Sequence, residues 1–434
     1  MSVPIQDSNE STLSRRGADL ASGRNKRDLV SAILGGIWDP VTNPDVILNI
    51  GTAENYLALE DVADFVKSKD LQLDGPAFDY GEGPWGSSRL RNGMAKFMNR
   101  YFKPHTPVKP DQLQGSNGCT GMFHMLGTVI GDPGDGILLT KPCYVALSHD
   151  FNLSAKMEPV FVPFGETDQF CPEAIECYEK ALQKAEKEGI KIRALVLCNP
   201  HNPLGRCYHE DTIIELMKFC KKHKIHMIAD EIYAMSVYEV PGVEAVPFTS
   251  VLSLDYSQYM DPNYLHHVYG MSKDFACGGL RVALLYTKNT ELSRAISAIT
   301  DFSHTGQMDE RVASVILEDE DWLDGFLDTG RMRLATNNRL TKALLDDAGI
   351  KYNSGANAGF FLWVDLSPWL DRFEGKDEWE REDKMLKAML GNKLFLTGGR
   401  GQSAERAGFF RLVFSRSEAT LREGIKRLVK TLEG

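Results

Sequence analysis

The sequence predicts an α/β protein with two domains. The larger holds a mostly parallel, seven-stranded-type sheet between helices, and the smaller is of α+β type. Between about residues 110 and 290, short apolar runs alternate with segments whose apolar residues recur every three or four positions. Continuous apolar strands separated by helices are typical of a parallel sheet that is covered on both faces. After about residue 291, long helical patterns dominate, and two further apolar runs indicate a smaller α+β unit.

The predicted strands of the larger domain are six apolar runs, at residues 136–140, 159–163, 193–198, 226–230, 267–270 and 282–287. Residues 120–130 and 212–223 lie between them and have the apolar spacing of helices. In sheets of this kind, ligands bind beyond the carboxyl ends of the strands. Polar side chains that follow these runs are therefore the candidates for a functional site.

The domain division follows from the change of pattern along the chain. Residues 76–290 are predicted to form the large domain, and residues 31–75 and 291–434 the small one, with strands at 359–365 and 408–415. Residues 1–30 are predicted to be an arm that packs on a partner subunit. The segment 372–384 is crowded with both charge signs, which is typical of a solvated surface insertion.

Bulk properties exclude some classes of function. The chain has 434 residues, 43% of them hydrophobic, and a net charge of −11, a balance that argues against nucleic acid or an anionic membrane as partner. No apolar run approaches the ~18–20 residues that span a bilayer. The polar N-terminus lacks the apolar centre of a secretory signal, so we expect a cytoplasmic protein. The eight cysteines include no Cys-x-x-Cys pair, and no metal site is predicted.

An amine, a carboxylate and a phenol follow two of the predicted strands. Asp230 ends the run 226–230, Tyr233 comes three residues later, and Lys273 comes three residues after the run 267–270. An amine forms a Schiff base with an aldehyde, and a carboxylate holds a proton on a pyridine nitrogen. Together they indicate a site for pyridoxal phosphate. Taken singly, Asp230 reads more simply as a helix cap and Lys273 as a solvated surface residue.

Small and basic residues nearby indicate a place for the phosphate. Cys119 and Thr120 open a predicted helix after a Ser-Asn-Gly turn, where backbone N–H groups and the helix dipole favour an anion. Ser272 and Arg281 flank the candidate lysine, and arginine binds phosphate oxygens in pairs. Glycine before a helix is more often simple capping, so the turn alone is a weak signal.

Three further side chains complete the candidate set. Tyr144 follows the run 136–140 and could stack on a planar ring, although a core tyrosine is the simpler interpretation. Asn202 lies in a tight loop with two Asn-Pro steps, which can present an amide to a ligand. Arg411 is embedded in an apolar strand and needs an anionic partner, either a substrate carboxylate or an internal carboxylate.

In combination, these segments resemble the fold-type I pyridoxal phosphate enzymes of the class I/II aminotransferase superfamily. The resemblance runs from about residue 45 to near the end of the chain, through Asn-Pro-x-Asn-Pro-Leu-Gly, Asp-Glu-Ile-Tyr and Met-Ser-Lys-Asp. Within the superfamily the chain is most similar to the 1-aminocyclopropane-1-carboxylate (ACC) synthase branch, through Gly-Thr-Ala-Glu-Asn at 51–55, Tyr80 with Gly81, and Asp-Pro-Gly-Asp at 132–135. The Gly-rich segment 80–86 looks more like the fungal and animal ACC synthase-like proteins than the plant enzymes.

The resemblance implies a role for each candidate residue. Lys273 binds the cofactor covalently and moves the Cα proton, and Asp230 pairs with the pyridine nitrogen. The other implied contacts are those of Tyr233 and Asn202 with the phenolic oxygen, of Tyr144 with the ring, of Cys119, Thr120, Ser272 and Arg281 with the phosphate, and of Arg411 with the substrate carboxylate. Tyr80 is implied to reach the site of the other subunit of a homodimer. Tyr80 and Glu54 are implied to bind substrate, and the prediction of ACC synthase activity rests on these two residues.

The implied activity is Cα carbanion chemistry on an α-amino acid, with more than one outcome. Elimination on S-adenosylmethionine would give ACC, return of the proton to the cofactor would give transamination, and loss of a β or γ leaving group would give a lyase or a substitution. Gly270 stands where a phosphate-binding serine is common in plant ACC synthases, and some relatives of the fungal and animal kind do not make ACC. A regulatory protein that binds a ligand without catalysis is the alternative from another class.

Overall fold

The computed structural model describes residues 12–22, 27–243 and 245–434. These residues form thirteen α-helices: α1 (Arg15–Ser22), α2 (Arg27–Leu34), α3 (Leu59–Lys67), α4 (Ser88–Tyr101), α5 (Cys119–Ile130), α6 (Leu147–Asn152), α7 (Ile175–Lys187), α8 (Glu210–His223), α9 (Thr290–Ser297), α10 (Gln307–Glu318), α11 (Glu320–Asp347), α12 (Glu378–Gly391) and α13 (Glu418–Glu433). The predicted N-terminal arm falls partly outside the described residues, and its described part includes α1 and the first half of α2.

The described residues also form thirteen strands: β1 (Leu48–Asn49), β2 (Leu113–Ser116), β3 (Gly136–Thr140), β4 (Glu158–Val162), β5 (Ile192–Cys198), β6 (His226–Asp230), β7 (Leu265–Gly270), β8 (Ala283–Thr287), β9 (Lys351–Tyr352), β10 (Phe361–Asp365), β11 (Leu394–Phe395), β12 (Thr397–Gly398) and β13 (Phe409–Val413). Seven of them make one sheet in the order β2-β8-β7-β6-β5-β3-β4. Strands β12, β13, β10 and β9 make an antiparallel sheet, and β1 pairs with β11.

The large sheet confirms the predicted fold class. Its pairings are parallel from β7 through β6, β5 and β3 to β4, and β8 runs antiparallel to both β7 and β2. The six predicted strands are present within one or two residues of their expected bounds. The seventh strand, β2, has the sequence Leu-Gln-Gly-Ser, which is too short and polar for its periodicity to predict a strand.

Apolar packing divides the molecule into two main regions. One cluster joins the large sheet to α3, α4, α8 and α10 and extends to Phe326 and Leu327 of α11. A second cluster joins the antiparallel sheet to α12, α13 and the later turns of α11 from Leu334 onwards. Helix α11 therefore packs in both regions. The packing shows no change at the predicted domain boundary of residue 291, because α9 and α10 come just after it and still pack with the large sheet. The boundary therefore stays a prediction.

The segment 372–384 lies at the surface, as its charge pattern predicts, and Glu382 is its one buried residue. Its second half is the start of α12, whose later residues Met385 and Met389 are buried. The Glu382 carboxylate accepts hydrogen bonds from the N–H groups of Arg400 and Gly408 at 2.8 Å each, in the loop between β12 and β13. That the segment is an insertion stays a prediction.

Candidate active site

A pocket lies beyond the carboxyl ends of β5, β6 and β7, at the edge of the sheet where the sequence predicts ligands to bind. All nine residues proposed to bind the cofactor line it: Cys119, Thr120, Tyr144, Asn202, Asp230, Tyr233, Ser272, Lys273 and Arg281. The structure thus brings together side chains that are up to 162 positions apart in sequence. Phe123, Cys198 and Ile232 also line the pocket and were not predicted.

Lys273 is the amine of this pocket. It follows β7, and its Nζ donates a hydrogen bond to the carbonyl oxygen of Ala53 at 2.7 Å. Burial, together with the positive charge of Arg411, lowers the pKa of Lys273 to about 8. A larger fraction of this amine is therefore neutral near neutral pH than of an exposed lysine, and a neutral amine is the form that attacks an aldehyde.

Asp230 is the carboxylate of the pocket, at the last position of β6 and 4% exposed. Its Oδ1 accepts a hydrogen bond from the N–H of Ile232 at 3.3 Å. Burial raises the pKa of Asp230 to about 7, so the ionised form needs a cationic partner to be favoured here. A protonated pyridine nitrogen is such a partner.

Tyr233, Asn202 and Arg411 form a buried hydrogen-bonded row, each at most 3% exposed. Nδ2 of Asn202 lies 3.5 Å from the Tyr233 hydroxyl, and Oδ1 of Asn202 accepts from Nη1 of Arg411 at 2.9 Å. Arg411 lies on β13 of the second sheet, so this row joins the two regions of the molecule. Since the Asn202 oxygen is taken by Arg411, the amide presents its N–H₂ end to the pocket side.

Arg411 lacks a carboxylate partner among the described residues. Its Nη2 donates to the carbonyl oxygen of Gly51 at 2.8 Å, and its Nε is buried without a hydrogen-bond partner. The groups whose charge acts on its pKa are the phenols of Tyr233 and Tyr144. An internal ion pair, the simpler interpretation of this arginine, is therefore not formed, and an anion from outside the chain fits the position.

The turn before α5 is shaped for close approach. Gly118 has φ +88°, a conformation that glycine adopts readily, and a Cβ on it would overlap the guanidinium of Arg281. The N–H groups of the first turn of α5, from Cys119 and Thr120 onwards, follow directly. A phosphate requires several hydrogen-bond donors around one point. This turn offers backbone N–H groups, the hydroxyl of Thr120 and the guanidinium of Arg281.

Two predicted residues lie away from this pocket. Glu54 is exposed, accepts a hydrogen bond from the Tyr56 hydroxyl at 2.6 Å and lines a neighbouring cavity, although its charge still acts on Lys273. Tyr80 is 97% exposed and contacts nothing in the pocket of its own chain. A role for Tyr80 in the site of a partner subunit stays a prediction.

Two charged residues near the site were missed by the sequence interpretation. Asp150 of α6 is partly buried, its Oδ2 has no hydrogen-bond partner among the described residues, and burial together with the charge of Asp230 raises its pKa to about 7. No motif indicates it. Arg416 is 5% exposed and lies five residues after Arg411, in the continuation of the same apolar run, a signal that could have been noticed.

The residues present fit pyridoxal phosphate. Asp230 is a buried carboxylate that accepts no hydrogen bond from a cation among the described residues, Lys273 is an amine of lowered pKa, and Gly118 lets the turn before α5 approach the Arg281 guanidinium closely. Among the described residues, no group of three His, Cys, Asp or Glu side chains could hold a metal ion. None of the helices in the described ranges is long and apolar enough to cross a bilayer.

Curated proteins of animals and fungi share sequence with most of the chain. The mouse 1-aminocyclopropane-1-carboxylate synthase-like protein 1 is 32% identical over 92% of this chain and 78% of its own length. A mouse protein named "probable inactive 1-aminocyclopropane-1-carboxylate synthase-like protein 2" is 31% identical over 97% of this chain and 72% of its own. The probable aminotransferase tcpI of Claviceps purpurea is 32% identical over 89% of each chain.

Solved structures agree with the fold, and a family model identifies the family. The Pyrococcus horikoshii kynurenine aminotransferase superposes with a TM-score of 0.78 over 98% of both chains, at 17% identity. The model for aminotransferase class I and II matches residues 47–428. The predicted family and cofactor are therefore confirmed: the chain belongs to the class I and II aminotransferases, the fold-type I enzymes that use pyridoxal 5'-phosphate, and its relatives include ACC synthase-like proteins.

Proposed function

We propose that the protein is an enzyme that removes the Cα proton of an α-amino acid, with Lys273 as the base and Arg411 as the anchor of the substrate carboxylate. One observation carries this proposal: a lysine of lowered pKa shares a buried site with a guanidinium that has no carboxylate partner among the described residues. Bound pyridoxal phosphate supplies the electron sink that makes the Cα proton removable. The chain's own residues position the substrate and move the proton.

Each predicted residue has a task in this proposal. Arg411 binds the α-carboxylate and fixes the orientation of Cα, and the Lys273 amine takes the proton from that carbon. Asp230 keeps the proton on the pyridine nitrogen. Tyr233 and Asn202 donate hydrogen bonds to the phenolic oxygen, and Tyr144 stacks on the ring. Cys119, Thr120, Ser272 and Arg281 hold the phosphate.

For the step after proton removal, we propose elimination from the substrate side chain, as a lyase of the ACC synthase-like kind. The similarity to ACC synthase-like proteins supports this reading, and so does the charge of Glu54, which acts on Lys273 from the neighbouring cavity. In the form of this reaction that starts from S-adenosylmethionine, the Cα carbanion attacks Cγ, the Cγ–S bond breaks, and methylthioadenosine leaves with the electron pair.

The second candidate is an aminotransferase, which the similarity to the probable aminotransferase of Claviceps purpurea supports. In an aminotransferase, the Lys273 amine would take the proton from Cα and deliver it to the bound cofactor. The substrate leaves as a 2-oxo acid after hydrolysis, and a second 2-oxo acid receives the amino group. A variant of the first candidate is substitution, in which another group replaces the one that leaves the side chain.

Elimination, substitution and transamination all begin with removal of the Cα proton, and they differ in their products.

Hydrogen exchange tests the shared step without assuming its outcome. Holoenzyme is incubated with a panel of amino acids in D₂O, and the loss of the Cα–H signal is followed by NMR. We expect exchange in the wild type and none in Lys273→Ala. An enzyme that exchanges no Cα proton of any amino acid would contradict the proposal and favour a ligand-binding protein without catalysis.

Product identification separates the candidates. Release of methylthioadenosine from S-adenosylmethionine would identify ACC synthase chemistry, and release of another side-chain fragment would identify a different lyase. Conversion of the cofactor to its amine form, with a stoichiometric amount of 2-oxo acid, would identify transamination. Brisk exchange between amino acid and 2-oxo acid without any side-chain loss would contradict the elimination proposal.

We further propose that the functional unit is a homodimer in which Tyr80 completes the site of the other subunit. Large apolar side chains are exposed in two neighbouring segments: Tyr80 at 97%, Phe78 at 72% and Phe302 at 87%. The Phe302 segment adjoins the turn before α5, because the Ser303 carbonyl oxygen accepts from the N–H of Asn117 at 2.7 Å. The Tyr80 segment lies close to the residues that follow, since a Cβ on Gly81 would overlap the side chain of Gln307. Apolar surface beside a site is typical of an interface with another chain.

Subunit mixing tests shared sites. Neither Lys273→Ala nor Tyr80→Ala homodimers are expected to catalyse efficiently. A mixed dimer contains one site with both native residues, so activity should reappear when the two variants are refolded together. No recovery, in spite of mixed dimers demonstrated by mass spectrometry, would contradict the placing of Tyr80 in the partner's site.

A further inference from the structure

A second cavity, of about 440 Å³, lies next to the candidate site. Its walls include Trp38, Glu54, Tyr56 and Arg416. One chain segment joins the two places: Ala53 accepts the hydrogen bond of Lys273 and Gly51 that of Arg411, while Glu54 lines the cavity. A substrate held between Arg411 and Lys273 would therefore have this cavity as its neighbour.

Arg416 is the unusual group of the cavity. It is 5% exposed, and its Nε and Nη2 are buried without hydrogen-bond partners in the described part of the chain. Its guanidinium lies over the Tyr56 ring, 3.4 Å from the centroid, which fixes its plane. A buried guanidinium with free donors is costly unless an acceptor binds it.

The acidic residues of the cavity are occupied elsewhere. Glu54 Oε2 accepts from the Tyr56 hydroxyl, and Asp39 Oδ1 accepts from two N–H groups and a hydroxyl within its own turn, at Val41 and Thr42. Neither carboxylate forms an ion pair with Arg416 among the described residues, although the Glu54 charge acts on it. The unsatisfied groups of the cavity are therefore donors, and what they lack is an oxygen acceptor.

We propose that this cavity binds the distal end of the substrate and that Arg416 pairs there with a carboxylate or another oxyanion. The inference rests on the proposed function and deepens it, since it names the substrate class as α-amino acids with a negatively charged side-chain terminus. Arg411 would bind one end of such a substrate and Arg416 the other. The inference needs only the Cα proton removal that both candidate reactions share. It weighs against S-adenosylmethionine as the substrate, because the cationic sulfonium would lack a partner at Arg416.

Spectral titration of the holoenzyme tests this assignment. The cofactor absorbance gives Kd for 2-aminoadipate and glutamate and for their uncharged counterparts norleucine and glutamine. We expect the wild type to prefer the acidic member of at least one pair about tenfold or more, as loss of a buried charged contact implies. Arg416→Gln should lose that preference, with the Kd of the neutral amino acids unchanged. Arg416→Lys, which keeps the charge, should retain part of it.

The outcomes separate the two proposals. Neutral amino acids report whether the variant holoenzyme is folded and binds at Arg411, so an unfolded variant is recognised at once. A wild type that responds to amino acids without any preference for acidic ones, or an acidic preference that survives in Arg416→Gln, would overturn this inference and leave the proposed function intact. A wild type whose cofactor spectrum responds to no amino acid would overturn the proposed function, and this inference with it.

Discussion

At the scale of single residues, the site contains two basic side chains, Lys273 and Arg411, that lie close enough for the charge of one to affect the other. Lys273 has a lowered pKa because it is buried and because Arg411 is near, while Arg411 has no carboxylate partner among the described residues that would neutralise its charge. A carboxylate placed beside Arg411 would offset that repulsion. Binding of the substrate carboxylate and the readiness of the lysine to accept a proton are therefore coupled through charge.

The first prediction concerns the pH dependence of cofactor uptake. Lys273 must be neutral to attack the aldehyde, so the rate at which apoprotein takes up pyridoxal phosphate should rise with pH and level off above about 8, the lowered pKa. Stopped-flow absorbance measures this rate. Arg411→Gln removes a charge that lowers this pKa and should shift the profile to higher pH, whereas Arg411→Lys should shift it less. A flat profile through this range would contradict the account.

The second prediction concerns substrate affinity. Arg411→Gln should weaken amino acid binding by about 1.5–3 kcal/mol, the worth of a charged hydrogen bond, on the order of 10- to 150-fold in Kd. Cofactor retention should change little, because the phosphate contacts are elsewhere. Spectral titration and dialysis measure the two quantities separately. An unchanged Kd for amino acids would show that the carboxylate binds at another position.

At the scale of elements, the sequence predicted strands better than the connections between them. Strands 136–140 and 226–230 are at their predicted positions because continuous apolar runs must be buried on both faces. The long helical pattern after residue 291 includes two successive helices, α10 and α11, because the Asp319 carboxylate caps the start of α11 by accepting from the N–H of Trp322 at 3.0 Å. A local cap of this kind competes with helical periodicity, and periodicity alone does not reveal it.

Sequence patterns were equally limited in predicting the residues of the candidate site. Residues directly after strands, such as Asp230 and Lys273, were predictable because the strand pattern places them at one edge of the sheet. Asp150 was not, because α6 reaches the site through tertiary packing, and for Arg416 the sequence offers only its place in the apolar run after Arg411, which does not reveal the cavity that it lines. No spacing along the chain relates either residue to the carboxyl ends of β5 to β7.

The third prediction tests the turn before α5. Gly118→Ala introduces a Cβ where φ is +88° and where Arg281 lies, so it should weaken pyridoxal phosphate binding as well as cost about 1–2 kcal/mol of strain. Gly134→Ala is the matched control, because φ there is +94° and no atom lies within 4 Å of the added Cβ. Loss of cofactor on dialysis should occur in the first variant alone. Equal retention in both variants would exclude Gly118 from the phosphate site.

At the scale of the whole molecule, the site depends on contacts between the two packed regions. Arg411 of β13 reaches Asn202, which follows β5 of the large sheet, and Lys273 reaches Ala53 of the segment after β1. The exposed apolar side chains near the turn before α5 support the proposal that a second copy of the chain covers this side. The residue pattern predicted two regions and a dimer, but the side chains that join the regions became visible only in the folded chain.

The fourth prediction tests that surface. Phe302→Glu places a charge on a side chain that is 87% exposed beside the turn before α5, and it should weaken the dimer in sedimentation velocity over a dilution series. Leu153→Glu is the control, because Leu153 is 53% exposed at the end of α6, which packs near β4 at the opposite edge of the sheet. Dissociation of the control and not of Phe302→Glu would contradict the proposed interface.

The most direct test of the account is the position of the covalent bond between protein and cofactor. Holoenzyme is reduced with borohydride, digested and mapped by mass spectrometry. The account predicts a pyridoxyl group on the Nζ of Lys273 and none in Lys273→Ala. A pyridoxyl group on a different lysine, or a cofactor that stays unreduced and dissociates freely from the wild type, would contradict it.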